Sequence, residues 1–161
     1  VSKLVCEHYL RVYSQLYGFN CTLLRLFTAY GPRQRPDMAM QKFSRAILDG
    51  REITIFGKPT RDFTYVDDIV TGIVAAARRE DKFETYNLGG ANPVEVEYVI
   101  SLLESALGKK AKIRRKSRNA YEPEITCADI SKAKAKLGYR VTVPIEEGIK
   151  RFVEYIKSCR K

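Results

Sequence analysis

The alternation of helix-period and strand-period apolar segments most constrains the fold of this chain. Residues 1–17 carry apolar side chains at three- and four-residue steps and end at Gly18, which predicts an amphipathic helix. Residues 21–27 form an apolar run with the length of a buried strand, and a Gly-Pro loop follows. A helix followed by such a strand predicts one turn of an α/β sheet.

The same alternation continues through the rest of the chain. Apolar spacing and glycine stops predict further helices at 38–48, 69–77, 93–107, 130–137 and 145–156, and strands at "EITIF", "FTYV", "TYNLGG" and "AKIRRK". Asp67 or Asp68 is expected to cap the helix at 69–77. No internal repeat or low-complexity linker divides the sequence, so we expect one core of ordinary size, in one domain or in a fragment of a larger protein.

Composition excludes several classes of protein. The chain has 161 residues, 45% of them hydrophobic, and no stretch approaches the roughly 20 apolar residues of a membrane span. The 4 cysteines share no CxxC spacing and His8 is the single histidine, so no metal site is predicted. We expect free thiols and a cytoplasmic protein with no membrane partner.

The formal charge of +10 raises the question of an acidic partner. The densest basic run is "KKAKIRRKSR", residues 109–118, which could form a phosphate-binding patch for nucleic acid or a solvated strand and loop. Aromatic residues do not interleave with these charges, and no nucleic-acid motif surrounds them. We therefore favour the solvated strand and predict no nucleic-acid partner, with a basic nucleic-acid-binding module kept as the alternative of another class.

Two loops concentrate residues suited to an anionic ligand. In "TAYGPRQRP", Arg33 and Arg35 supply guanidinium groups that match phosphate or carboxylate, after a predicted strand, where α/β sheets bind ligands. An ordinary surface loop fits that composition equally well. In "RDFTYVDD", Arg61 could hold a phosphate or could pair with Asp62 or Asp67 in a structural salt bridge.

Seven segments, taken together, resemble a known enzyme family. They are "SKLVCEHY", "RLFTAYGPRQRPDMA", "ITIFG", "RDFTYVDDIVTGI", "YNLGG", "TCADISKAKAKLGY" and "PIEEGI". Their order and spacing resemble the C-terminal half of the NAD-dependent nucleotide-sugar epimerases and dehydratases, which are extended short-chain dehydrogenases/reductases. Thr28 and the following "RPDMA" are most similar to UDP-glucuronate 4-epimerases, since UDP-glucose 4-epimerases and UDP-glucuronate decarboxylases usually carry Asn in place of Thr28.

The resemblance implies an α/β fold, the C-terminal part of a Rossmann-type enzyme. Residues 1–35 would be the tail end of the dinucleotide-binding domain, and residues 36–161 would form mainly the smaller α/β substrate-binding domain. The strand near 84–89 would return to the Rossmann sheet. Because the family dimerises through the helix that matches residues 1–17, the resemblance also implies a homodimer, or a complementary N-terminal half as the partner.

The resemblance further implies NAD chemistry at C4 of a sugar. Lys3 matches the lysine of the family's Tyr-x-x-x-Lys pair, and the tyrosine and glycine-rich dinucleotide loop are expected upstream of Val1. In the family the tyrosine takes the 4-hydroxyl proton while NAD receives the C4 hydride, and the 4-keto sugar then takes the hydride back on its other face. Lys3 would tune that base and hold the nicotinamide ribose, while Phe27 and Ala29 would line the nicotinamide.

A second group of positions is implied for a UDP-sugar. Thr28 and Arg35 match positions that meet the sugar and its carboxylate, which suits a bidentate arginine. Thr54 and Phe56 match the strand end that contacts uracil, with Phe56 packing on the base. Arg61 matches the arginine that binds the diphosphate.

The chain departs from the family pattern ahead of "TCADI". The family usually has Arg or Gln and then Gly-Asp there, to hold phosphate and ribose, whereas Asn119 and Glu122 stand at about those places here. Glu122 could accept a hydrogen bond from ribose, and Arg118 could replace the phosphate contact.

The sequence therefore predicts the substrate-binding half of an NAD-dependent UDP-sugar 4-epimerase, an isomerase that is inactive by itself. Another nucleotide-sugar dehydratase or decarboxylase of the same family is the alternative within this class.

Overall fold

The computed structural model describes residues 1–118 and 120–159. Within these residues the chain forms six helices and eight short strands. In chain order they are α1 (Ser2–Tyr17), β1 (Cys21–Leu26), β2 (Thr28–Tyr30), α2 (Ala39–Asp49), β3 (Glu52–Phe56), β4 (Thr60–Arg61), β5 (Phe63–Tyr65), α3 (Val66–Ala77), β6 (Phe83–Leu88), β7 (Val94–Glu95), α4 (Val96–Leu107), β8 (Lys112–Lys116), α5 (Ser131–Leu137) and α6 (Ile145–Ser158).

Parallel strand pairs organise the fold. β1 pairs with β6, and β3 pairs with β8, in each case over the whole length of the strand. Two shorter pairs are parallel β2–β5 and antiparallel β4–β7. Parallel pairs need a crossover between their strands, which the intervening helices supply.

The larger apolar core lies on one face of β3. Ile53 and Ile55 are buried while Glu52, Thr54 and Phe56 are exposed, because successive side chains of a strand point to opposite faces. The helices α2, α4 and α6 contribute buried aliphatic and aromatic side chains to the same core. The outward face of β3 is therefore left open to a ligand.

Gly148 lets α6 approach the aromatic residues at the end of β2. A Cβ at this position would overlap the hydroxyl of Tyr30 and lie 2.8 Å from its Cζ atom. Tyr30 itself is buried and packs edge-on against Tyr65 and Phe63. This contact fixes β2, whose first residue is Thr28, relative to the larger core.

A second apolar cluster lies on one face of the β1–β6 pair. It includes Ile69 of α3, Tyr86 and Leu88 of β6, and Ala133 of α5. The pairing of β6 with β1 is the arrangement expected if the strand near 84–89 returns to the sheet of the first 35 residues. The domain boundaries at 35 and 36 stay a prediction.

The helix α1 lies against the opposite face of β1 and is held there by polar contacts. Arg25 Nε donates to Glu7 Oε1 over 2.8 Å, and the guanidinium of Arg11 lies 5.2 Å from the centre of the Phe83 ring. Ser14 is the buried residue of this helix. Its apolar side chains are exposed by 38 to 71%: Leu4, Val5, Tyr9, Leu10, Val12, Tyr13, Leu16 and Tyr17.

The expectation that Asp67 or Asp68 caps the third helix is wrong. α3 begins at Val66, one turn earlier than predicted, with no side-chain cap. Asp68 is 1% exposed, and its carboxylate accepts hydrogen bonds from the backbone N–H groups of Thr142 and Val143, each over 3.1 Å. Asp68 therefore ties the segment that precedes α6 to the first turn of α3.

The buried tyrosines make stability sensitive to alkaline pH. Burial, with smaller effects of Asp68 and Asp62, raises the pKa of Tyr139 to about 12, and its hydroxyl donates to the Gly89 carbonyl over 3.1 Å. In the unfolded chain the same tyrosine has a pKa of about 10. We expect the contribution of Tyr139, about 3 kcal/mol, to be complete below about pH 10 and to be lost as the pH rises towards 12.

Urea unfolding at pH 8 and at pH 11 measures this effect in the wild type, Tyr139→Phe and Tyr9→Phe. Tyr9 is 62% exposed and serves as the matched control. Tyr139→Phe is expected to lose less of its free energy of unfolding between the two pH values than the other two proteins. Identical losses in all three would contradict this assignment.

Candidate functional site

A cleft of about 240 Å³ opens over the outward face of β3. It is lined by five residues expected to bind substrate, which come from four separate segments of the chain: Thr28, Thr54, Phe56, Arg61 and Glu122. Apolar side chains complete its wall: Ala39, Phe43, Ile55, Pro59, Phe63 and Val96. An aromatic ring, hydroxyl groups and a guanidinium group therefore face one concave surface, which is the usual composition of a small-molecule site.

Arg61 is held rigidly at the edge of this cleft. Its Nη1 atom donates to the carbonyl oxygens of Thr60 over 2.9 Å and of Glu124 over 3.0 Å. Its Nη2 atom lies 3.8 Å from Glu122 Oε2, and the Arg61 side chain is 19% exposed. One end of the guanidinium group is thus fixed on the backbone, and the other end faces the Glu122 carboxylate and can pair with an anion.

Asp62 does not pair with Arg61, contrary to one of the two interpretations of "RDFTYVDD". Its carboxylate is 0% exposed and accepts hydrogen bonds from the N–H groups of Gly90 over 2.8 Å, Ala91 over 3.0 Å and Ala128 over 2.8 Å. Asp62 therefore joins the strand that carries Arg61 to two other segments of the chain. The salt bridge of Arg61 is with Glu122 instead.

The segment that carries Glu122 is fixed by the backbone next to β4. Thr60 N–H donates to the Glu124 carbonyl over 2.8 Å, and Thr126 N–H donates to the Thr60 carbonyl over 3.1 Å. Arg61 and Thr60 thus share the Glu124 carbonyl as acceptor. This arrangement brings Glu122 to the Arg61 end of the cleft although the two residues are far apart in sequence.

Two other residues predicted to bind substrate, Arg35 and Asn119, are not part of the described cleft lining. Arg35 is exposed in the loop between β2 and α2, where its Nη2 donates to Asp37 Oδ2 over 3.1 Å. Asn119 lies outside the described residues. The roles expected for both residues, like those of the residues in the cleft, stay predictions.

Lys3, Phe27 and Ala29 lie near one end of the β1–β6 sheet. Phe27 and Ala29 follow the last residue of β1 and are half-buried against the second cluster. α1 runs antiparallel to β1, since Ser14, near its end, donates to the Phe19 carbonyl over 2.7 Å. Lys3 is one helical turn, about 6 Å, beyond Glu7, the partner of Arg25. This offset brings Lys3 towards the level of Phe27.

Neighbouring carboxylates neutralise part of the basic run at 109–118, which holds seven Lys and Arg residues. Four of its cations form ion pairs within the described part of the chain: Lys110–Glu104, Arg114–Glu52, Arg115–Glu97 and Arg118–Glu124. The Arg115 guanidinium holds the pKa of Glu97 below its usual value. This pairing supports the solvated strand that the sequence favours.

Sequence reasoning missed the apolar wall of the cleft and the acceptor role of the Glu124 backbone. Phe43 belongs to the apolar side of α2, and nothing in the spacing distinguishes a core side chain from one that also lines a cleft. Among the described residues, no three His, Cys, Asp or Glu side chains form a group that could hold a metal ion. No described helix is both long and apolar enough to cross a membrane.

Parallel strands with helices against both faces of the β1–β6 pair define a Rossmann-type α/β protein. Residues 1–89 match the NAD dependent epimerase/dehydratase family. The chain belongs to this family. Both the fold class and the family expected from the sequence are therefore confirmed.

The relatives include sugar-nucleotide 4-epimerases from bacteria and plants. The chain is 43% identical over 149 residues to the UDP-glucuronate 4-epimerase of Thermodesulfobacterium geofontis, which covers 91% of this chain and 46% of that relative. It is 40% identical over 174 aligned positions to UDP-glucuronate 4-epimerase 5 of Arabidopsis thaliana, covering 96% of this chain and 40% of the relative. The chain spans about half the length of the curated relatives it matches.

Solved structures of the family superpose closely on the chain. The UDP-glucuronic acid 4-epimerase from Bacillus cereus, in complex with UDP-glucuronic acid and NAD, gives a TM-score of 0.90 at 40% identity and covers 99% of this chain and 52% of that one. The UDP-glucose 4-epimerase from Thermotoga maritima, with UDP-glucose, gives a TM-score of 0.90 at 33% identity, with 99% and 53% covered. Both sugar specificities considered from the sequence thus occur among the relatives.

Proposed function

We propose that the chain is the substrate-binding half of an NAD-dependent UDP-sugar 4-epimerase and that it is inactive by itself. The observation that carries this proposal is the convergence of Thr28, Thr54, Phe56, Arg61 and Glu122 on one cleft. The names of the relatives support the reaction class, and the matching "RPDMA" segment favours UDP-glucuronate as the sugar nucleotide. A dehydratase or decarboxylase of the same family remains the alternative.

Each side chain of the cleft has a chemical role under this proposal. The exposed ring of Phe56 offers a stacking surface for uracil next to the hydroxyl of Thr54. The end of the Arg61 guanidinium group that faces Glu122 takes the diphosphate by charge-assisted hydrogen bonds. Thr28, which also lines the cleft, offers a hydrogen-bonding hydroxyl group for the sugar. Arg35 would reach the sugar carboxylate only after leaving Asp37, a contact between two exposed groups.

NAD is the cofactor of the family, and the residues present fit one end of it. NAD receives and returns the hydride of the sugar C4 when bound. Phe27 and Ala29 would lie against the nicotinamide at the carboxyl end of β1, and Lys3 would hold its ribose. The sequence has no G-x-G-x-x-G loop for the pyrophosphate, so the chain supplies only part of a dinucleotide site.

The partner expected for α1 is a second copy of the chain or a complementary N-terminal half. The exposed apolar side chains of this helix support a packed interface, because a helix that is apolar on several sides needs more than one neighbour. The proposal places the protein in the cytoplasm, which stays a prediction from the sequence.

Calorimetric titration of the folded chain with UDP-glucuronate, UDP-galactose, UDP and NAD tests the proposed function. We expect heat with the three uridine nucleotides, because the cleft holds the residues for the nucleotide, and much weaker binding of NAD. No heat with any uridine nucleotide, in a sample whose thermal unfolding is cooperative, would contradict it. Binding to duplex DNA that persists at physiological salt would favour the nucleic-acid-binding alternative.

A further inference from the structure

We propose that Glu122 is an internal counter-ion of Arg61 that weakens the binding of free nucleoside diphosphates more than the binding of nucleotide sugars. This inference rests on the proposed function, in which Arg61 takes the diphosphate. It gives Glu122 a role in selecting the ligand that its position in the sequence pattern did not suggest.

The two side chains of the Arg61–Glu122 contact are held to different extents. Arg61 is fixed, since its Nη1 donates to two backbone carbonyls and its side chain is 19% exposed. The Glu122 side chain is 59% exposed and lies 3.8 Å from the remaining Nη2 atom. The carboxylate thus lies close to the position that a ligand phosphate would take and is free to move away from it.

Among the described charged groups around Arg61, Glu122 is the carboxylate without another cation as its partner in the recess. A narrow recess next to the cleft is lined by the cations Lys58, Arg61 and Arg118 and by the carboxylates Glu122 and Glu124. The Glu124 carboxylate is paired with Arg118 over 3.3 Å, and it is the backbone carbonyl of Glu124 that contacts Arg61. Glu122 is therefore the carboxylate that a phosphate bound to Arg61 would meet.

The repulsion between Glu122 and a bound diphosphate depends on the charge of the ligand. The β-phosphate of a nucleotide sugar is a diester with one negative charge, whereas the terminal phosphate of UDP carries nearly two at pH 8. Each additional negative charge near the Glu122 carboxylate weakens binding further. Glu122 is thus expected to weaken the binding of UDP more than the binding of UDP-sugars.

Calorimetric titration with UDP and with UDP-glucose at pH 8 and low salt tests this inference in the wild type, Glu122→Gln and Glu147→Gln. UDP-glucose is chosen because its sugar carries no carboxylate. We expect Glu122→Gln to bind UDP about tenfold more tightly and UDP-glucose about threefold more tightly than the wild type. Glu147→Gln removes the same charge from an exposed ion pair with Arg151, outside the linings of both the cleft and the recess, and should change either affinity by less than about twofold.

Three results would overturn the inference while leaving the proposed function intact. They are an equal gain for both ligands, an equal gain in Glu147→Gln, and unchanged or weaker UDP binding by Glu122→Gln. Weaker binding would assign the carboxylate to the ribose hydroxyls instead. If the wild type binds neither nucleotide, the proposed function fails, and the inference that rests on it fails with it.

Discussion

Asp62→Ala is expected to lower the free energy of unfolding by about 4 kcal/mol. The substitution leaves the N–H groups of Gly90, Ala91 and Ala128 without their acceptor at a site where Asp62 is 0% exposed. An unsatisfied buried donor costs about 1–3 kcal/mol. The expected loss is therefore a large part of the free energy of unfolding of a typical domain, which is about 5–15 kcal/mol. Because Asp62 precedes the strand β5 and follows Arg61, the cleft should lose its shape together with the fold.

Urea unfolding followed by circular dichroism measures this loss in Asp62→Ala, Asp62→Asn and Asp37→Ala. Asp62→Asn keeps the volume but presents an amide N–H₂ group to backbone donors, so a loss of about 3 kcal/mol is expected. Asp37 forms an exposed ion pair with Arg35, and its removal should cost less than about 1 kcal/mol. A loss below about 1 kcal/mol in both Asp62 variants would show that Asp62 does not organise these segments.

The helices could be predicted from the sequence because their signals are local. Apolar spacing, with glycine stops for α2 and α5, placed α2, α5 and α6 within one or two residues of their observed bounds. The strands β2, β4 and β7 were not predicted, since two or three residues carry no readable period. They exist through pairing with strands far along the chain.

The buried aspartates show what local patterns cannot predict. Asp68 looked like a helix cap because it precedes an apolar helix, but its partner Thr142 is 74 residues away. Asp62 looked like a partner for the adjacent Arg61, but its acceptor role depends on Gly90 and Ala128, 28 and 66 residues away. A carboxylate next to a helix or a cation is ambiguous until the three-dimensional partners are known.

The candidate site was predicted through the family resemblance rather than through spacing. Strand alternation alone predicts that Thr54 and Phe56 share one face of β3, and the structure has this arrangement. Nothing local predicts that Glu122 joins them, since its place is set by the backbone bonds between Thr60 and Glu124.

Arg61→Gln is expected to weaken the binding of UDP and of UDP-glucuronate by about 100-fold or more. A charge-assisted hydrogen bond contributes about 1.5–3 kcal/mol, and the guanidinium group of Arg61 presents a fixed fork to the diphosphate. Arg61→Lys keeps the charge but not the fork, so we expect an intermediate loss of about tenfold. The loss of affinity in Arg61→Lys measures the contribution of the planar hydrogen-bonding geometry, and the further loss in Arg61→Gln measures the contribution of the charge.

Calorimetric titration of Arg61→Gln, Arg61→Lys and Arg115→Gln at one salt concentration measures these losses. Arg115 carries the same charge on the neighbouring strand β8 and pairs with Glu97 over 2.8 Å, away from the cleft lining. Arg115→Gln should change the affinity by less than about threefold. This variant measures how much of the loss in Arg61→Gln comes from the lower net charge of the chain alone. Equal losses in Arg61→Gln and Arg115→Gln would mean that the nucleotide is held by the overall positive charge and not by Arg61. A loss confined to Arg61, in variants that melt like the wild type, would place the diphosphate at the cleft.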